Sequence, residues 1–588
     1  VNTLVQLNPT GLRAIQIGSS YFDTDYVAAE VVLRRSDLSL VAKYLWDGQH
    51  AAANALNDVE HRPASDVVVI AAGPTVPGNI GRGWSKVFAA LGASAVGDLS
   101  DGDWSVIGIP HAFSGGWSSS HGAVSGYFQH TCAGPYGFVT RARTWTVTQL
   151  DDSAIDPGSL RHAIDAAAPG DTIKFRSGLS GTISIGSEYF INQDLTIDGP
   201  GAGHLTIDGG FQSRIFAIVA GNVSISGLTL AQGSIASTPF NPRAEGGAIE
   251  DKSNGALSVS GVRFSGDRAG ASRGGVGAGG AIYSFFGSLS VCASMFSGDS
   301  AGGNGGLGAL GGSGTGGAIY SSSTSVSVAG SMFLGDSAGG SSGSGNLSGS
   351  GQGGAIHAHL GSLTVSGSTF TDDSAGGAGG SGPNSGQGKG GAIFASLGSL
   401  SVSNSTLSAN SAGAESGVGA GSGQGFGGAI WTDDSTATLS SDTIASNTVG
   451  PAGGSAGAGI AGAQHVTALG SIVSGNTGAS NCDRDVGSSS FSLEGPAGNR
   501  SCGFALPSAD PLLEALQNYG GTTWTQALPP NSPAVRVIPK ADCPSADGGV
   551  DQRGYPRPGQ GKTMCDVGAY ETQGSGARKR PPVPRAAI

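Results

Sequence analysis

The sequence predicts a mainly β chain: a right-handed, single-stranded parallel β-helix preceded by a small α/β domain. Three observations predict it. The tetrapeptide Gly-Gly-Ala-Ile recurs at 246–249, 279–282, 316–319, 353–356, 390–393 and 427–430, and from Ile282 to Ile430 each copy follows the last by 37 residues. A fixed period of this size marks stacked repeats. After each copy comes a short alternating run, Leu289/Val291, Val326/Val328, Leu363/Val365 and Leu400/Val402, in the same register. Alternation of this kind reads as a strand with one face buried. The third is Phe-x-x-Asp at Phe264/Asp267, Phe296/Asp299, Phe333/Asp336 and Phe370/Asp373, which decays to Leu407/Asn410, Ile444/Asn447 and Val473/Asn476. Three strand-like pieces per repeat, each too short for a sheet of its own, make one turn of a β-helix. Asp and Asn sit where the chain turns and cap it with their side chains. The Gly-rich remainder, such as 302–314, has only Leu307 and Leu310 as large apolar side chains and reads as a loop bulging from one edge.

Taken in order, residues 1–112 have ordinary glycine content. Strand-like runs at 14–17, 67–72 and 105–109 alternate with helix-compatible stretches at 38–47 and 83–91. Residues 113–143 read as a linker. Residues 144–220 form an N-terminal cap and first turns, in which 157–165 is a short helix with Ser159 as a possible N-cap. A helix here covers the free strand edge that ends a solenoid. The regular array spans 221–478, a disulfide-bearing C-terminal cap 479–572, and a disordered tail 573–588.

Glycine makes up 106 of 588 residues, against a usual share of about 7%. Charged residues are 12% and the net charge is −12, which disfavours nucleic acid and anionic membrane as partners. No apolar run is long enough to cross a membrane. Four cysteines cluster late, at Cys482, Cys502, Cys543 and Cys565. They read as two disulfides, most economically Cys482–Cys502 and Cys543–Cys565, out of three formal pairings. Disulfides point outside the cytosol. Cys132 and Cys292 have no obvious partner. The Cys292 slot is filled by Ala329, Ser366 and Ser403 in later repeats, so it reads as a small-residue position.

The stretch from Asp151 through Pro157, Leu160, Arg161 and Ile164 to Gly170, Asp171 and Ile173 resembles the start of bacterial surface β-helix proteins of the pectin-lyase-like superfamily. The end resembles the choice-of-anchor Q class of secreted, cell-surface proteins in Asn481-Cys482, Cys502, Asn518 to Thr523, Ser532 to Ala534, Asp551 to Gly554, Arg557-Pro558 and Cys565 to Glu571. The repeats are also similar to those of chlamydial outer-membrane adhesins, although this chain shows no C-terminal membrane barrel. Upstream, Phe22-Asp23-Thr24, Val87 to Gly92 and Asp103 to Gly108 resemble an ILEI/FAM3-like domain. That resemblance implies a compact α/β fold and, in some members, sugar recognition.

The residue after each repeat isoleucine is Glu250, Tyr283, Tyr320, His357, Phe394 or Trp431. If isoleucine points inward its neighbour points outward, and the rings stack along one face at about 4.8 Å per turn, over a span on the order of 20 Å. Tyr283, Tyr320, His357, Phe394 and Trp431 then offer platforms for an extended glycan. They can equally be a ladder that only stabilises the solenoid, or lie covered by the Gly-rich loops. His357 and His359 share a strand face but need a third ligand to hold a metal. Asp373 is one copy of the turn residue, so the Asp372–Asp373 pair is not a catalytic pair. Asp433–Asp434 has no such explanation. The array carries few basic residues, among them Arg273 and Lys389, and the sequence assigns no catalytic residue, metal or cofactor. The reading is a secreted or cell-surface protein, a monomer, acting in adhesion or carbohydrate binding towards a glycan or host-surface ligand. The alternative is a polysaccharide-degrading hydrolase or lyase with an N-terminal sugar-binding domain.

Overall fold

A computed structural model describes residues 143–573 apart from 239–241, 271–273, 306–310, 342–347, 378–385, 414–422, 451–453, 545–548 and 560. Upstream it describes nine strands as backbone, together with Ala55 and Asp58. The helix expected at 83–91 and the tail from 574 onward lie outside the described residues. The chain divides into two compact units, the first comprising Val1–Trp145, Ala167–Thr172 and Gln193–Thr196.

In the first unit, five strands form an antiparallel sheet in the order Leu40–Trp46, Ala28–Arg34, Asp66–Ala72, Trp104–Gly108, Gly115–Ser119. The helix-compatible stretch 38–47 is therefore a strand: Leu40–Trp46 pairs along its length with Ala28–Arg34, and that pairing overrides a weak helical propensity. Gly115–Ser119, in the stretch read as a linker, adds the last strand of this sheet.

The second unit is a right-handed parallel β-solenoid. One turn shows the plan: Ile319–Ser322, Ser325–Ala329, Met332–Leu334, Ser337–Ala338 and, after the Gly-rich excursion, Gly351–Gln352. Stacked with their copies, these strands belong to sheets of nine, twelve, eleven, seven and six strands. Three of the five follow from the hydrophobic pattern. The seven- and six-stranded sheets do not, because their strands are pairs such as Ser-Ala and Gly-Gln with no apolar alternation to announce them.

The repeat tetrapeptide has a job at each position. Gly353 is left-handed, φ 64°, and a Cβ there would lie 2.1 Å from the Ile356 carbonyl oxygen. At Gly354 a Cβ would lie 1.9 Å from the Gly391 carbonyl oxygen and 2.5 Å from the Ser374 nitrogen, because the seven-stranded sheet packs backbone to backbone there. Ala355 and Ile356 are both fully buried. In the eleven-stranded sheet Phe264, Phe296, Phe333 and Phe370 stack face to face, with centroids 4.5, 4.6 and 4.5 Å apart, and are wholly buried. The turn residues reach across turns as well as capping their own. Oδ1 of Asp336 accepts the Asp299 N–H at 2.9 Å, and Oδ1 of Asp373 accepts that of Asp336 at 2.9 Å.

At the N-terminal end the helix Leu160–Ala166 buries Leu160, Ala163 and Ile164. The Ser159 hydroxyl accepts the His162 N–H at 3.1 Å, which makes Ser159 the N-cap. At the other end Cys482 bonds Cys502 and Cys543 bonds Cys565. Cys292, read from its repeat neighbours as a small-residue slot, is itself disulfide-bonded. From Ser226 to Ser440 the slot holds small residues, and only this turn carries a thiol.

Beyond closing the end, the C-terminal segment runs back along the stack. Gln552 Nε2 donates to the Ser368 carbonyl at 3.2 Å, and its Oε1 accepts from Thr406 at 2.6 Å. Thr523 donates to the Gly367 carbonyl at 2.9 Å, and the Ala569 N–H donates to Thr443 at 3.0 Å. Two ion pairs lock the segment: Arg553–Asp551 at 2.6 Å and Arg557–Glu571 at 3.2 Å, the latter with both side chains wholly buried. Burial pushes the Glu571 carboxyl up to about 7, with Arg557 opposing and Asp566 adding to the rise. The residues that carry the C-terminal family resemblance thus form a latch on the stack.

Candidate functional site

The column expected from the sequence forms in the nine-stranded sheet. Tyr283, Tyr320, His357, Phe394 and Trp431 are direct register partners. Successive ring centroids are 5.3, 5.2, 4.6 and 5.6 Å apart. The rings point away from the isoleucine core, but they do not lie bare on a face. After each Gly-rich excursion the chain returns as the six-stranded sheet and covers them, so that Tyr283, Tyr320, His357 and Phe394 are buried and only Trp431 is half-buried. Ala278 from that sheet packs on Tyr283 and Tyr320. The Arg243 guanidinium sits 4.7 Å from the Tyr320 centroid, and the Lys389 ammonium 4.3 Å from that of Trp431. Phe426 packs against Trp431 at 4.9 Å.

The cover is incomplete along one edge, which leaves a groove of about 420 Å³. Tyr320, His357 and Phe394 line it, with Arg243, Thr315 and Gln352 on one bank and His359, Ser396, Leu397, Asp433 and Asp434 on the other. The Ser396 hydroxyl lies between two imidazoles, 2.9 Å from His359 Nδ1 and 3.3 Å from His357 Nε2. His359, Ser396 and Asp433 occupy one register column in three successive turns. His357 Nδ1 and Arg243 Nε are buried at this edge without a hydrogen-bond partner. Burial, then His359, then Arg243 push the His357 imidazole down to about 3, so it is neutral at physiological pH. Among the described residues neither Arg243 nor Lys389 forms an ion pair, and Arg243 donates to the Thr315 hydroxyl at 3.0 Å.

One feature of this bank escaped sequence reasoning. Phe286, Ser323, Leu360, Leu397 and Asp434 occupy the same corner of successive turns in left-handed backbone, φ 50–64°. Leu360 and Leu397 are 51% and 52% exposed there, an apolar lip held in a conformation that large side chains avoid. The available signal was an apolar residue directly before the turn glycine, in Leu360-Gly361 and Leu397-Gly398. Asp433 and Asp434 are both exposed and both line the groove. Asp372 and Asp373 part company, Asp372 being exposed and Asp373 wholly buried. Among the described residues no group of three or more His, Cys, Asp or Glu is arranged to hold a metal ion, and the His357–His359 pair meets Ser396 instead of a third ligand. No described helix is long and apolar enough to cross a membrane.

No protein-family model matches this chain, and no curated protein matches it. Among solved structures it is similar to the PL6 family alginate lyase AlyGC at 12% identity and a TM-score of 0.27, covering 65% of this chain and 55% of that one. The catalytic unit of the thermostable GH87 alpha-1,3-glucanase from Streptomyces thermodiastaticus strain HF3-3 matches at 12% identity and a TM-score of 0.25, covering 89% and 91%. The Agl-KA catalytic domain matches at 12% and 0.23, covering 67% and 64%. The chain thus spans little more than half the length of the alginate lyase, and similarity this low says nothing of the chemistry in the groove.

Proposed function

We propose that this chain is a secreted or cell-surface carbohydrate-binding protein that seats a stretch of glycan in the groove over the aromatic column. The observation that carries the reading is the groove itself. It is where ring edges of Tyr320, His357 and Phe394, in an otherwise covered column, line an opening together with the polar side chains of Gln352, His359 and Asp433. Sugars present apolar C–H faces and hydroxyls that both donate and accept, so a site for them needs a ring platform and hydrogen-bonding groups side by side. The edges of Tyr320 and Phe394 are the platform, Gln352, His359 and Ser396 supply polar contacts, and Leu397 forms an apolar rim. Four successive turns from Tyr320 to Asp433 line it, with Arg243 reaching in from an earlier turn, a span of about 15 Å at the spacing of stacked strands. Disulfides in the second unit support a location outside the cytosol. An N-terminal domain of the ILEI/FAM3 kind would add a second sugar-contacting module.

A glycan array followed by calorimetry tests the reading. The protein is expected to bind at least one oligosaccharide, and Gln352→Ala and His359→Ala are each expected to weaken that binding about tenfold or more. No binding on the array, or wild-type affinity in both variants, contradicts it. Cleavage of the bound glycan, lost on replacing Asp433 or Asp434, would favour the hydrolase or lyase reading.

A further inference from the structure

Four carboxyl groups lie in the core of the stack with no cation beside them. Oδ1 of Asp267, Asp299, Asp336 and Asp373 each accepts one backbone N–H from the turn before, at 2.7, 2.8, 2.9 and 2.9 Å. Oδ2 of all four is buried without a hydrogen-bond partner, and all four residues are fully buried. In the next three turns the slot is occupied by Asn410, Asn447 and Asn476. There the atom that replaces Oδ2 is a donor. Each Nδ2 donates to the next asparagine's Oδ1, at 2.9 Å in all three cases. It also donates to a backbone carbonyl of the preceding turn, that of Phe370, Leu407 or Ile444, at 3.1, 3.0 and 3.3 Å. The slot is thus built for a donor at this position.

We propose that Asp267, Asp299, Asp336 and Asp373 are carboxylic acids that hold a proton on Oδ2, and that this column of buried protons stabilises the stack in acid and loosens it as the medium turns alkaline. An ionised carboxylate would set a second bare oxygen against carbonyls. Four of them would repeat that charge at about 4.8 Å intervals. A protonated acid puts an O–H where asparagine has its N–H. Besides one another, Asp208 acts on Asp267 and Asp372 on Asp373, each raising the buried carboxyl further. Arg268, the nearest cation in sequence, stacks instead on Phe211, 4.2 Å from its centroid. Burial raises all four carboxyls, Asp299 to about 8, against the opposing pull of backbone N–H groups. The folded-state value therefore lies above the unfolded one near 3.9. The stabilisation is full below about 3.9, erodes as pH rises because the unfolded chain releases the proton first, and is gone once pH has passed the folded-state value.

Denaturant unfolding of the full chain from about pH 5 to 9, wild type against Asp299→Asn and Asp336→Asn, tests this. Relative to either variant, the wild-type folding equilibrium constant is expected to fall about tenfold per pH unit between about pH 5 and 7. A wild type that keeps a constant ratio to both variants across the range overturns the proposal. Infrared spectroscopy of the wild type alone serves if a variant fails to fold. A carboxylic-acid C=O band is expected at neutral pH and lost on alkaline titration, and the lack of that band at neutral pH overturns the proposal.

Discussion

Gly354→Ala is expected to destabilise the solenoid by about 3 kcal/mol or more. The new Cβ would sit 1.9 Å from the Gly391 oxygen and 2.5 Å from the Ser374 nitrogen, and both obstacles are backbone. No rotamer change can relieve them. Two turns and the neighbouring sheet would have to part. Gly335 is the matched control. It is left-handed, φ 68°, with nothing within 4 Å of its would-be Cβ. Gly335→Ala therefore carries the conformational cost alone, about 1–2 kcal/mol. Each turn contacts only its neighbours, so the lesion should also be local. Chemical denaturation should separate the two variants, and limited proteolysis should cut the Gly354 variant near residues 340–390. Equal stability of the two would mean that the second glycine of the repeat is not needed for close approach.

Phe333→Ala is expected to cost about 3–5 kcal/mol. Its ring lies between Phe296 and Phe370, at 4.6 and 4.5 Å, and is wholly buried. Neither neighbour can collapse into the gap, because each is held in register by its own strand pairing. Phe333→Leu should cost only about 1–1.5 kcal/mol, since the same slot holds Leu407 two turns later. Thermal unfolding of the pair checks this. A small loss for alanine would indicate a core loose enough to refill.

The period and the columns were legible in the sequence because a stacked repeat places equivalent residues in register: the Phe264–Phe370 stack, the Tyr283–Trp431 series and the capping helix after Ser159 are all where the spacing puts them. The two late disulfides follow from local grouping. What stayed hidden has a common cause. Backbone-to-backbone packing leaves only glycine, serine and alanine in the sequence, so the seven- and six-stranded sheets looked like loop. The sequence leaves the aromatic column either open or covered by the Gly-rich segments, and the six-stranded sheet that follows those segments covers most of it. Asp299 and its copies read as turn caps, and the spacing alone does not show that they are fully buried. Their replacement by Asn410, Asn447 and Asn476 in the same slot was the clue that a buried donor is wanted there. Cys292 had no copy in later turns to flag it, and the latch made by Thr523, Thr525 and Gln552 depends on contacts more than a hundred residues apart.

A crystal of the protein soaked with its best-bound oligosaccharide tests the central claim most directly. The account predicts sugar rings in the groove between Arg243 and Asp434, with one ring face against the edges of Tyr320 and Phe394 and hydroxyls within hydrogen-bond reach of His359 and Gln352. An empty groove with the sugar bound on another face would contradict it.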